Sequence, residues 1–229
     1  MNSKTYLNTG AIAAALMLCA QSLTAQHLEA GAVGQNQNDA LVWANASELA
    51  SSSGYVKELT LSTSGRYAGL YNGSITLTAL SSTESGGPAL GSFIQAEIVS
   101  VAGPSGAFFG FWEGLDLGGG TAPTFNIATG SEGLSLRYVL SDASAGAGQA
   151  GQDPAGHLHG RRFTASELGM YTVGFRAVDT SVNGTGGGSI HAPSDIVYIN
   201  FQAVPEPSVF ALVGTGLAGL WFLRRKRNA

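Results

Sequence analysis

The chain has 229 residues, of which 33 are glycine, four are histidine and one is cysteine, and its formal net charge is −4. Residues 26–204 contain six basic and 14 acidic side chains, so this stretch alone carries a formal charge of −8. An acidic surface argues against nucleic acid and anionic lipid as partners. The stretch is long enough to bury the core of one domain.

Residues 1–25 are predicted to be a secretory signal peptide. Lys4 gives a positively charged start, residues 11–20 form an apolar segment of the expected length, and Leu23-Thr24-Ala25 offers a cleavage site. Cys19 lies inside this segment, so the exported protein would have no cysteine. We therefore expect the exported body to be held together by a hydrophobic core and not by disulfides.

Residues 26–204 are predicted to form one all-β domain, an antiparallel β-sandwich. Apolar–polar alternation and short apolar runs predict at least seven strands, at residues 59–62, 74–80, 92–99, 107–112, 134–140, 171–178 and 195–202. Glycine-rich turns separate them. A short helix is expected at 45–51, and a second helical turn at Thr164–Glu167, which has the spacing of a capping box. Strands without alternating helices favour a sandwich.

The histidines are the candidate metal ligands, and all four lie in the predicted exported body, at His27, His157, His159 and His191. His157 and His159 are two residues apart, so on an extended chain they point to the same face at a spacing of ~6.5–7 Å. Zinc accepts imidazole nitrogen at ~2.0–2.1 Å and favours four ligands, or three and a water molecule. The competing interpretation is that the pair consists of two exposed polar residues on an edge strand.

Other charged and aromatic groups are expected to have structural roles. Five carboxylates are expected at the solvated surface, although each could also orient or join a metal ligand: Glu97, Glu113, Asp116, Asp179 and Asp195. Arg161 and Arg162 are expected at a solvated strand end, and Phe108–Trp112 in a core strand. The sequence contains neither a Gly-x-Ser-x-Gly nucleophile elbow nor a His-Glu-x-x-His zinc motif.

The last 25 residues have the order of a sorting signal. Pro205-Glu206-Pro207 precedes an uncharged apolar stretch at residues 209–223, which ends in the basic cluster Arg224, Arg225, Lys226 and Arg227. The prolines keep the segment extended and accessible to a processing enzyme. The apolar stretch is shorter than the ~20 residues of a comfortable bilayer span. The basic cluster would remain in the cytoplasm by the positive-inside rule.

This three-part order resembles the PEP-C-terminal (PEP-CTERM) sorting signal of Gram-negative bacteria. The resemblance implies processing by an exosortase-type membrane peptidase and membrane attachment through a hydrophobic sorting helix until the tail is removed. It also implies a final location in the envelope, on the outer surface or in the extracellular matrix. The alternative is a permanent C-terminal anchor, which uses the same physical features but is not cleaved.

A second resemblance concerns the exported body. Gly156-His157-Leu158-His159, followed by Phe163-Thr164 and Gly169-Met170-Tyr171, is similar to a signature of bacterial surface proteins of the choice-of-anchor kind. Among PEP-CTERM proteins it resembles a family placed under the zinc-uptake repressor. This resemblance implies zinc handling outside the inner membrane, with a metal-uptake system as a partner. It assigns His157 and His159 as ligands and adds His27, whereas His191 is added from its own position before the last predicted strand.

Three functions from different classes follow from these observations. The first is an exported, non-catalytic protein that binds zinc for storage or delivery. The second is a structural or adhesive component of the extracellular matrix in which the histidines bind no metal. The third is a zinc-dependent hydrolase. No carboxylate is placed by a motif as a general base, so the enzyme ranks last, and we expect a metal binder with zinc as its cofactor.

Overall fold

The computed structural model describes residues 27–205. The predicted signal peptide lies outside the described residues, as do Glu206, Pro207, the apolar stretch and the basic cluster at 224–227. Among residues 27–205, no helix has the length and apolar character needed to cross a bilayer. The boundaries at 1–25, 26–204 and 205–229 therefore remain predictions from the sequence.

Short strands make up most of the regular structure of residues 27–205. They are β1 (His27–Ala32), β2 (Leu41–Trp43), β3 (Val56–Leu61), β4 (Tyr71–Gly73), β5 (Thr76–Ala79), β6 (Ile94–Ala102), β7 (Phe108–Trp112), β8 (Phe125–Ala128), β9 (Leu136–Val139), β10 (Arg162–Ala165), β11 (Gly169–Asp179) and β12 (Val197–Val204). One short helix, α1 (Ala46–Leu49), lies between β2 and β3, and several single 3-10 turns join other strands.

The strands form two sheets. Nine strands pair in the order β8-β7-β10-β4-β3-β12-β11-β6-β9, and three pair in the order β2-β1-β5. The pairing is antiparallel except between β3 and β12 and between β1 and β5, which run parallel. The predicted all-β class is therefore confirmed. The two parallel pairs depart from a purely antiparallel sandwich, because each joins strands that are far apart in the chain.

Aromatic rings from strands that are not neighbours meet in the core. Phe109 of β7 lies 5.0 Å from Phe201 of β12 and 5.9 Å from Tyr171 of β11, measured between ring centroids. The nine-stranded sheet must therefore curl so that its inner faces meet. All three side chains are fully buried, and each contributes roughly 1.5–3 kcal/mol by leaving water. The prediction that Phe108–Trp112 is a core strand is confirmed, with only Phe108 exposed.

The predicted strands correspond to β3, β5, β6, β7, β9, β11 and β12, and the predicted helix corresponds to α1. The sequence did not indicate β1, β2, β4, β8 and β10, which have three to six residues each. Four of them have only three or four residues, whereas the equally short β5 and β9 could be recognised because they lie within the longer runs at 74–80 and 134–140. These strands are specified by their partners in the sheets.

The helical turn predicted at Thr164–Glu167 is wrong. Thr164 lies inside β10, where it pairs with Asn72 on one side and Gly110 on the other. Its hydroxyl accepts a hydrogen bond of 2.9 Å from the indole N–H of Trp112. Pairing on both sides of the strand satisfies the backbone groups that a helix cap would have served, so the tertiary context overrides the local signal.

The expectation that Glu97, Glu113 and Arg161 lie at the solvated surface is also wrong. Glu97 is fully buried in β6 and bonds Arg137 at 2.6 Å and Arg176 from the two flanking strands. Burial opposes its ionisation, but the hydrogen bonds and charges of the two arginines outweigh burial and hold the pKa of Glu97 below its usual range. Arg161 is buried and bonds the partly buried Glu113 at 2.5 Å.

Asp179 is another carboxylate that was expected in solvent but is buried. One of its oxygens accepts the backbone N–H groups of Phe93 and Ser181, at 3.0 and 2.9 Å. The other accepts those of Ile190 and His191, at 2.9 and 3.1 Å. These bonds satisfy four backbone donors that would otherwise be buried without a partner, and they fix the long connection between β11 and β12.

Candidate metal centre

His27 is the first residue of β1, and Asn45 holds its backbone in place. The side-chain amide of Asn45 donates to the carbonyl of His27 at 2.7 Å, and its oxygen accepts the N–H of Glu29 at 3.0 Å. β1 runs parallel to β5, with His27 opposite Thr76. The backbone that carries the half-buried imidazole of His27 is therefore fixed at one end of the three-stranded sheet.

Gly156 holds the segment before His157 against β5 of this sheet. It exchanges two backbone hydrogen bonds with Ala79 of β5, at 2.9 and 3.0 Å. Glycine is required here because a Cβ at this position would lie 1.7 Å from the carbonyl oxygen of Leu140. Because β5 is also the neighbour of β1, this bridge places His157 beside His27.

Asp153 anchors the segment that leads to His157. Its carboxylate accepts the Ser81 hydroxyl at 2.6 Å and the backbone N–H groups of Ser82 and Ala155, at 3.3 and 2.8 Å. Burial opposes the ionisation of Asp153, but these hydrogen bonds outweigh it and hold its pKa below the usual range. No pattern in the sequence indicates this role, because Ser81 and Ser82 are 72 and 71 residues away along the chain.

Three imidazoles come into contact at this end of the domain, and we refer to His27, His157 and His159 as the histidine cluster. The rings of His27 and His157 meet edge to face, with centroids 4.5 Å apart at an interplanar angle of 86°. The centroids of His157 and His159 are 4.4 Å apart at 33°. Desolvation, and then the neighbouring His159 and His27, lower the pKa of His157. A lowered pKa favours the neutral form of the ring, which is the form that metals bind.

Acidic side chains line a groove beside two members of the histidine cluster. Glu29, Glu84 and Asp142 line the same shallow surface groove as His27 and His157. Their charges make the groove attractive to a cation.

His191 does not join the histidine cluster. It is 1% exposed, and its Nε2 accepts the backbone N–H of Ala89 at 2.9 Å. Its Nδ1 lies 3.0 Å from the carbonyl oxygen of Asp39, to which it can only donate. Both ring nitrogens are therefore used by the fold. His191 also lies near the Ala32 end of β1, whereas His27 begins that strand.

The imidazole nitrogens of the histidine cluster are suitable donors for zinc, but the three rings are not arranged around a common point as metal ligands. Zinc takes neutral imidazole nitrogens at ~2.0–2.1 Å. Within residues 27–205, no group of three or more His, Cys, Asp or Glu side chains is placed to hold a metal ion. The predicted set of four histidines is thus reduced to three candidates, whose rings would have to turn to share one ion.

Comparison with known proteins concerns the tail. Residues 203–227 match the PEP-CTERM protein-sorting motif. No curated protein and no solved structure matches the chain. The predicted sorting signal is therefore confirmed: the chain carries the motif of exported, envelope-sorted proteins that exosortase processes. The match covers the tail alone, so a relation of the body to a zinc-regulated family remains a prediction.

Proposed function

We propose that this exported, envelope-sorted protein binds one zinc ion at the histidine cluster and either stores the metal or passes it to an uptake system. One observation carries the proposal: His157 and His159 are in ring contact with each other, and His157 is also in contact with His27, which lies far away in the sequence. Asn45 and Gly156 keep their backbones there. The proposed role is non-catalytic, at the outer surface or in the extracellular matrix.

His157 would be the central ligand, because its ring contacts both His27 and His159. The three imidazoles would supply uncharged nitrogen donors, and the acidic groove beside them would attract the cation. His157 and His159 are exposed, so their rings are free of the packing that would hinder a change of rotamer. Zinc bound there would join β1 to the segment after Gly156 through its coordination bonds.

A second candidate is a structural or adhesive surface component that needs no metal. The observation in its favour is that the described side chains include no ready group of three or more metal ligands. In that case the ring contacts of the histidine cluster would contribute only to packing.

Calorimetric titration of zinc into the metal-free protein tests the proposal. We expect one zinc per chain in the parent and no measurable binding after His157→Ala combined with His159→Ala. The matched control is His191→Gln, outside the cluster, which should keep the stoichiometry while circular dichroism shows it folded. A parent that binds no zinc, or a double variant that binds it as tightly as the parent, would reject the metal function and favour the structural role.

A further inference from the structure

The sorting motif begins inside the folded domain. The matched segment starts at Ala203, which pairs with Gly169 of β11, and its second residue, Val204, pairs with Thr60 of β3. Pro205 follows at once and is exposed. No spacer therefore separates the last strand from the Pro-Glu-Pro segment.

This arrangement limits the distance between the domain and the membrane. Pro205 stands four residues before Val209, where the uncharged apolar stretch begins. Because an extended chain spans at most ~3.3–3.6 Å per residue, these two residues are no more than about 14 Å apart. A membrane that holds residues 209–223 must therefore lie close to the end of the domain where β12 finishes.

We call this part of the domain the exit end: residues 203–205, the turn at 166–168 and the loop at 103–107. The turn precedes β11, whose first residue, Gly169, pairs with Ala203 beside the departing tail. The ring of Pro104 in the loop packs on the same glycine, since a Cβ at Gly169 would lie 2.8 Å from it.

Three large apolar side chains are exposed at or beside the exit end. Leu168 is 48% exposed, and Met170 and Phe108 are each 43% exposed. Phe108 joins this end because its backbone N–H donates to the hydroxyl of Ser166, at 2.9 Å. Glu167 is the single charged residue among positions 103–108 and 166–170. These two segments of the exit end are thus mostly apolar and carry a single charge.

The turn that carries Leu168 is held firmly. Tyr171 is fully buried, yet its hydroxyl donates to the backbone carbonyl of Glu167 at 2.9 Å and accepts the N–H of the same residue at 3.2 Å. Leu168 is therefore presented outward by a turn that is tied to the core, which lowers the entropy lost when it meets a partner.

We propose that the exit end rests on the lipid surface of the membrane that holds the tail, with Leu168, Met170 and Phe108 entering the interface. Apolar side chains enter the boundary between headgroups and acyl chains favourably. The contact is apolar and not electrostatic, so it needs no anionic lipid. Three side chains bind weakly alone, but the tail keeps them at high effective concentration near the bilayer. The contact presents Pro205 and the two following residues at the membrane surface, where a membrane peptidase acts.

Site-directed fluorescence on the full chain tests this inference. Cys19→Ser removes the native thiol, and Leu168→Cys or the matched control Val182→Cys carries a polarity-sensitive label. Val182 is 70% exposed and lies beyond the opposite end of β11 from Leu168. At ~3.3 Å per residue, β11 is about 33 Å long from Gly169 to Asp179. In phosphatidylcholine vesicles, we expect a blue shift and quenching by lipid-attached quenchers at position 168 and neither effect at 182. Anionic lipid should not increase the signal.

The inference would be overturned if the label at position 168 showed no larger blue shift and no more quenching by lipid-attached quenchers than the label at 182. A second measurement follows tail removal by intact mass in a host that has exosortase. We expect slower removal after Leu168→Ser combined with Met170→Ser, and the parent rate after Val182→Ser. If tail removal is slower in this double variant but the label at 168 remains exposed to water, the exit end contacts the peptidase and the lipid contact is rejected. Zinc binding has no part in either readout, so this inference and the metal proposal can fail separately.

Discussion

Tyr171 and Glu167 are joined by two hydrogen bonds between one phenolic hydroxyl and one backbone unit, at 2.9 and 3.2 Å. These bonds close the turn between β10 and β11. They also fix the start of β11, which pairs with both β6 and β12 in the centre of the domain. A single buried side chain therefore connects the aromatic core to the end of the domain from which the tail leaves.

Replacing Tyr171 by Phe should lower the free energy of unfolding by about 1–2 kcal/mol. The loss arises because the carbonyl and N–H of Glu167 lose their partner in a partly buried place. Urea unfolding at neutral pH measures it. Tyr198→Phe is the control: its side chain is half exposed in β12, and the change should stay within about 0.5 kcal/mol. Equal stabilities of the two variants would contradict this role for Tyr171.

Replacing Glu97 by Gln should lower the free energy of unfolding by about 3 kcal/mol. The change removes the charge that two arginines share, and breaking a buried pair costs ~3–5 kcal/mol. We expect the lower end of this range because Arg137 and Arg176 are partly exposed to water. Glu132→Gln, at an exposed position, is the control and should have little effect.

The ion pairs of Glu97 with Arg137 and Arg176 also predict that stability depends on pH. The pKa of Glu97 is held below its usual range, so the folded state binds its proton less readily than the unfolded state does. Its contribution is present above the unfolded pKa of ~4.3 and is lost as pH falls through the folded value. The difference in free energy of unfolding between the parent and Glu97→Gln should therefore shrink as the pH falls. Denaturant unfolding of both proteins from pH 7 to pH 3 measures this, and a constant difference would count against it.

Gly156→Ala should destabilise the domain by about 1–3 kcal/mol and weaken zinc binding. The new Cβ would lie 1.7 Å from the carbonyl oxygen of Leu140, so the bridge to Ala79 must move and carry His157 with it. Thermal unfolding and zinc calorimetry measure the two effects. Gly120→Ala is the control, because the nearest atom to its Cβ would be 4.0 Å away. Unchanged stability would show that the backbone at 156 is not constrained.

His191→Ala should cost about 2–4 kcal/mol, because it leaves the buried N–H of Ala89 without a partner and the carbonyl of Asp39 with only the N–H of Ala192, at 3.3 Å. His159→Ala, at an exposed position, should stay within about 0.5 kcal/mol of the parent. Urea unfolding compares the two variants. A larger effect at His159 than at His191 would reverse the assigned roles.

Processing should leave a mature protein that begins near Gln26 and ends close to Pro205-Glu206-Pro207. In a host with exosortase, intact mass will show this directly. Glu206→Ala should impair tail removal and leave the melting temperature of the body unchanged, because residue 206 follows the last strand. A mass that retains Arg224–Ala229 would identify the tail as a permanent anchor.

The sequence by itself determined the all-β class, the strands with clear alternation and the sorting motif. Alternation is a local property of the chain, so the segments that became β6 and β11 could be recognised without their neighbours. The sorting motif is likewise a linear pattern. Its prolines, apolar stretch and basic cluster act in order along the chain and require no folded surface.

Only the tertiary structure decided which polar groups are buried and which histidines meet. Glu97 looked solvated because its partners, Arg137 and Arg176, are 40 and 79 residues away. His157 and His191 are the same residue type in similar glycine-rich surroundings, yet one contacts two other imidazoles and the other gives both nitrogens to the backbone. Such outcomes depend on which strands pair, and strand pairing brings together residues that no local pattern connects.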